Sequence, residues 1–98
     1  MHVGTLSADL LLGDVRSLKE KRSIIQPILA ELTRRLPVSA GEVGQADLHR
    51  RGLIGVAVVG ADPTRCRSVL DAAERMIVAH PEVEVLSVRR RLWNDEDE

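Results

Sequence analysis

"HVGTLSADLLLGDVRSLKEKRSIIQPIL", residues 2–29, changes its hydrophobic period halfway along. Up to residue 12 it alternates, with Leu6, Ala8, Leu10 and Leu12 on one face, as a half-buried strand requires. Gly13-Asp14 punctuates the pattern. From Ser17 onward Leu18, Ile25, Leu29, Leu32 and Leu36 recur at helical spacing, and Ile24 and Ile28 widen the stripe. Ser17 with Glu20 three residues later forms a capping box, which satisfies backbone N–H groups at a helix start. Pro37 ends the helix.

The same order then returns. "VSAGEVG", residues 38–44, reads as a strand weakened by two glycines, and "QADLHRRG", residues 45–52, as a polar turn. "LIGVAVVG", residues 53–60, is a strand apolar on both faces. Asp62-Pro63 supplies an N-cap and a proline in the first helical turn. The second helix runs to about Ala79 on a stripe of Cys66, Val69, Leu70, Ala73 and Ile77. "EVEVLSVRRRLW", residues 82–93, alternates as the last strand. The order β-α-β-β-α-β predicts an α+β, ferredoxin-like fold, with two helices against one face of a four-stranded antiparallel sheet. Residues 1–94 form the single domain and residues 95–98 an acidic C-terminal tail.

Ninety-eight residues support one core and not two. At 44% hydrophobic and 30% charged residues the chain reads as globular. Trp93 is its only aromatic residue, so the core is aliphatic. No apolar run reaches the roughly 20 residues of a membrane span, and no signal-peptide pattern opens the chain. A single cysteine excludes an internal disulfide framework and suits a cytoplasmic location. The net charge is −1, but the tail alone carries four negative charges, leaving +3 on residues 1–94. That is a mild excess for a nucleic-acid binder.

Pro27 stands in the middle of the first helix, opposite the Leu18–Leu29–Leu36 stripe, where water satisfies the carbonyl that its missing N–H leaves free. Lys19 and Arg22 fall on one flank, whereas Lys21 falls inside the apolar arc between Leu18 and Ile28. Cations at a helix N-terminus oppose its dipole. Their clustering with Arg16 therefore raises two readings: a solvated first turn, or a site for a phosphate or carboxylate. Arg50 and Arg51, after Asp47 and His49, form a second basic group at the turn between the middle strands.

His2, His49 and His80 have no ligand spacing, so no metal is expected. Cys66 lies in the centre of a helical stripe, where a buried thiol is inert. No glycine-rich phosphate loop or nucleophile elbow occurs, and neither a cofactor nor a catalytic residue is expected.

Strict alternation places Val3, Thr5, Ser7 and Asp9 on the sheet face away from the helices. It adds Leu53, Gly55, Ala57 and Val59 from the third strand, and Val83, Val85, Ser87 and Trp93 from the fourth. Such a face is too apolar to leave in water and lacks the stacking aromatics of an RNA-reading sheet, which favours a homo-oligomer joined across it.

The stretches "RSLKEKRSIIQPILAEL" (16–32), "PVSAGEVGQADLHRRGLIGVAVVG" (37–60) and "PEVEVLSVRRRL" (81–92) resemble the YlxP-like bacterial domains of unknown function. The resemblance covers nearly the whole chain and implies a ferredoxin-like fold. Arg16, Ser17, Lys19, Lys21 and Arg22 match the family's signature, and Asp47 and Arg50 its hairpin motif. Many members carry tryptophan where this chain has His49, which removes a stacking aromatic from the hairpin tip. Genes of that family often lie beside those for a transcription elongation factor, a translation initiation factor and ribosome-binding factor A. The resemblance thus implies work in ribosome biogenesis or translation, with ribosomal RNA or a ribosomal particle as partner.

Three functions follow as expectations. The first is a non-enzymatic protein that meets RNA phosphates through Arg16, Ser17, Lys19, Lys21 and Arg22, helped by Asp47, Arg50 and Arg51. The second is a protein-interaction module dimeric through the face bearing Val3, Thr5, Leu53, Ala57, Val59, Val83, Val85 and Trp93. The third is an acylphosphatase-like enzyme, a family of this topology that holds phosphate with a strand-to-helix loop and an arginine. Gly13 and Arg16 echo that arrangement, but the glycine-rich loop is missing and the only asparagine is Asn94.

Overall fold

The computed structural model describes residues 1–96. Asp97 and Glu98 of the acidic tail lie outside the described residues. The elements follow in the expected order: β1 (His2–Leu12), α1 (Leu18–Arg35), β2 (Ser39–Gly44), β3 (Arg51–Gly60), α2 (Pro63–Val78) and β4 (Val83–Asn94). The strands form one antiparallel sheet in the order β2-β3-β1-β4, so β1 and β3 are central and β2 and β4 are edges. Both helices pack against one face, which is the ferredoxin-like α+β arrangement.

The capping chemistry is where the sequence puts it. The Ser17 hydroxyl accepts a hydrogen bond from the Glu20 N–H at 3.1 Å, and the Asp62 carboxylate accepts one from the Arg65 N–H at 2.9 Å. The Glu20 side chain reaches back to the N–H of Arg16 at 3.2 Å, one residue before the cap. Pro27 is exposed, on the solvent side of a helix that continues through it.

The core lies between the sheet and the helices. β1 contributes Leu6, Ala8, Leu10 and Leu12, β3 contributes Ile54, Val56 and Val58, and α2 its Cys66–Ile77 stripe. In α1 the buried row is Lys21, Ile25, Ile28, Leu29 and Leu32. Leu18, expected to begin that row, is 42% exposed, and Lys21 takes the place one turn before Ile25.

A second departure is in β4. Its pairing with β1 shifts register, so that Leu10 faces Val85 while Asp9 faces Ser87, and Leu86 is left over. One surplus residue reverses the side-chain alternation. Val83 and Val85, expected on the open face, instead lie on the helix side, where Val83 is buried and Val85 packs against the core. Arg89 and Arg91 occupy the open face with Ser87 and Trp93, because they pair with Ser7 and Thr5 of β1. β2 carries a similar irregularity after Glu42, which turns Val43 over Gly55. A Cβ on Gly55 would lie 2.8 Å from a Val43 methyl, so only glycine fits beneath it.

Candidate functional site

The chemistry gathers where the start of α1 meets the turn between β2 and β3. Lys21 comes from the first turn of α1 and is almost entirely buried. Its ammonium donates to the Gln45 carbonyl at 2.7 Å and the Leu48 carbonyl at 2.8 Å, and meets the Glu42 carboxylate at 2.7 Å. Those three acceptors use all three N–H bonds of the ammonium. Lys21, expected among the anion-binding residues, is therefore spent inside the protein. It is a clamp that fastens the 45–50 turn to α1.

Glu42 reaches Lys21 because it pairs with Ile54, whose side chain points to the helices. Gln45 is held from two sides. Lys21 takes its carbonyl, while its side-chain amide donates to Asp9 Oδ1 at 2.9 Å. It is the one positive-φ residue among those described, at φ 60°, a left-handed conformation that this double anchoring maintains.

A second fastening lies beside the first. Arg50 Nε donates to the Gly13 carbonyl at 3.0 Å, and the Leu12 N–H donates to the Arg50 carbonyl at 2.8 Å. The turn is thus tied to the β1–α1 loop as well as to α1. That loop carries Arg16, exposed and only loosely paired with Asp14 at 3.4 Å. Lys19 and Arg22 are exposed on the first turns of α1, and Asp47 is exposed in the turn. Four cations, Arg16, Lys19, Arg22 and Arg50, therefore stand exposed on segments bonded to one another. Ser17 serves as the helix cap, so its hydroxyl is already engaged.

Arg51 departs from its expected place at the hairpin tip. It begins β3 and points to the open face, with Nη2 donating to Asp9 Oδ2 at 2.8 Å. Its Nε is buried without a hydrogen-bond partner among the described residues. Asp9 thus joins Arg51 and Gln45 on the face, and with Gln45, Ser7, Leu53, Ser87 and Arg89 it lines a hollow of about 250 Å³. Sequence reasoning passed over this group because its members come from three segments with no shared spacing. The only signal was an acid alternating into an otherwise apolar face.

Val3, Thr5, Leu53, Ala57, Val59 and Trp93 do lie on the open face by their pairing. Trp93 is 43% exposed, with the Arg91 guanidinium 5.2 Å from its ring centroid. Asp9, Arg51, Arg89 and Arg91 share this face, so charged side chains stand among its apolar ones. Arg90 points the other way and is held against α2, at 2.6 Å from Asp71 Oδ1.

Fold and site together define a small ferredoxin-like α+β domain with a clamped basic corner. Residues 3–90 match the family model described as "Protein of unknown function (DUF503)", and the chain belongs to that family. The "Uncharacterized protein YlxP" of Bacillus subtilis (strain 168) is 29% identical over 91 residues, spanning 93% of this chain and 98% of that protein. Among solved structures, the chain is similar to SnoaB, a cofactor-independent oxygenase from Streptomyces nogalater. That likeness has a TM-score of 0.53 at 12% identity, covering 94% of this chain and 91% of that one. It is also similar to the de novo designed protein Foldit4, with TM-score 0.56 at 14% identity, covering 96% and 98%. At such identities the two structures speak to the fold alone.

Proposed function

We propose that this protein is a non-enzymatic binding factor that contacts RNA or a ribonucleoprotein, as an accessory to ribosome biogenesis or translation. Its contact is the corner formed by Arg16, Lys19, Arg22 and Arg50. The observation that carries the reading is the Lys21 clamp: a buried ammonium with three acceptors holds the turn against α1. Arg50, carried by that turn, is thereby held beside Arg16 of the preceding loop and Lys19 and Arg22 of α1. Preorganised cations lose less conformational freedom on meeting a row of phosphates. A ribosomal target is what the resemblance to the YlxP-like domains implies.

Four cations make a contact of modest strength that weakens steeply with salt. Co-sedimentation with ribosomal subunits and with free ribosomal RNA, at about 50 and about 200 mM salt, tests the proposal. Binding at the lower salt that is lost at the higher, and lost in Arg16→Ala/Lys19→Ala/Arg22→Ala, is the expected result. No binding to either target at the lower salt would overturn it.

A further inference from the structure

β4 is an edge of the sheet and, at 12 residues, its longest strand; β2, on the other edge, has 6. The outer N–H and C=O groups of β4 have no neighbouring strand among the described residues, and an edge of that length invites another one. Proteins usually blunt such edges with charge or a bulge. β4 has both, but arranged in a particular way.

The surplus Leu86 splits the strand into two halves of opposite alternation. On the open face this leaves Glu84 before the bulge, Leu86 and Ser87 at it, and Arg89 and Arg91 after it. In a regular strand, positions five apart lie on opposite faces. The bulge brings Glu84 and Arg89 onto the same one. The face of β4 is therefore acidic in its first half and basic in its second. Neither Glu84 nor Arg89 has an ion-pair partner among the described residues.

Such a pattern is complementary to itself when reversed. With a two-fold axis between Leu86 and Ser87, an antiparallel second copy sets Glu84 of each chain opposite Arg89 of the other. Glu82, just before the strand, then faces Arg91. On the helix side Val85 faces Val88, both half-buried residues that already pack against the core. A purely protective edge would carry charge of one sign and repel its own copy in this register.

We propose that β4 is a self-pairing edge through which two copies of this chain form one continuous antiparallel sheet, matched by the Glu84–Arg89 pairs. This differs from stacking open face on open face, which would bring the Arg51, Arg89 and Arg91 side chains of two copies together. Edge pairing leaves that face, and the basic corner, in solvent.

The test is sedimentation equilibrium at low salt of the wild-type chain, Glu84→Arg, Arg89→Glu and the double reversal. The wild type is expected at twice the 10.8 kDa chain mass. Each single reversal places like charges opposite one another twice per dimer and is expected to weaken association about tenfold or more. The double reversal restores opposite charges and is expected to recover the dimer. Both positions are exposed, and circular dichroism reports that the variants are folded. For any that is not, wild-type amide exchange substitutes: residues 84–90 should exchange more slowly as protein concentration rises. A wild type that stays monomeric with concentration-independent exchange would overturn the proposal. So would a dimer indifferent to both single reversals.

Discussion

The Lys21 ammonium lies 2.7 Å from the Glu42 carboxylate, with 3% of the lysine side chain and 27% of the glutamate exposed. The pair joins α1 to the edge strand β2, and the Gln45 and Leu48 carbonyls complete its coordination. A buried ion pair by itself contributes little, because desolvation offsets its attraction. Its effect here is positional: it sets where the polar turn sits and so where Arg50 stands relative to the cations at the start of α1.

Removing the ammonium while keeping its apolar stem isolates that effect. Lys21→Met leaves Glu42 and two carbonyls without their donor and is expected to lower stability by about 2–3 kcal/mol. Part of the cost is relieved because Glu42 retains some contact with water. Urea unfolding measures the loss, and amide exchange should accelerate most at residues 45–50. Unchanged exchange in that turn would contradict the clamp.

The neighbouring cations should behave oppositely. Arg16→Ala, Lys19→Ala and Arg22→Ala are each expected to change stability by no more than about 0.5 kcal/mol, since all three side chains are exposed. Thermal unfolding distinguishes these surface positions from Lys21 directly.

The bulge at Leu86 predicts a contrast between two valines that simple alternation would treat alike. Val83→Ala removes a core contact and is expected to cost about 1.5 kcal/mol. Val59→Ala, at a position 64% exposed, should stay within about 0.5 kcal/mol. Equal costs in denaturant unfolding would place Val83 on the open face after all.

Met1 is tied to Asp95, the residue that follows β4. The Met1 amine meets Asp95 Oδ1 at 2.8 Å, and the Asp95 N–H donates to the Met1 carbonyl at 3.0 Å. The hydrogen bond from the amine holds the Asp95 carboxyl below its ordinary value, and the same bond raises the amine. The carboxylate's contribution is present above its unfolded pKa and lost as pH falls through the lower folded value. The amine's is present below its unfolded pKa and lost as pH rises through the higher folded one. NMR titration should show both displacements, and acetylating the amine should return Asp95 to the ordinary carboxylate range.

The fold was legible because its signals are local. Capping residues Ser17 and Asp62, the alternation of β1 and the stripe of α2 each name their element without help from the rest of the chain. Two kinds of information were not local. The parity of β4 depends on Leu86 being surplus, which only its pairing with β1 reveals. Lys21 looked like an anion ligand because its position in the apolar arc was visible, while its acceptors lie 21 to 27 residues further on. The Asp9–Arg51–Gln45 group was hidden for the same reason, being assembled by the sheet from separate segments.

The contact proposed for Arg16, Lys19, Arg22 and Arg50 is with RNA phosphates. The most direct measurement is affinity for single-stranded ribosomal RNA segments as a function of salt, for the wild type and Arg16→Ala/Lys19→Ala/Arg22→Ala. Each phosphate contact contributes about 0.7 to the slope of log K against log salt. The triple variant is expected to bind more weakly, with a slope shallower by about 2. Equal slopes for the two proteins would contradict it.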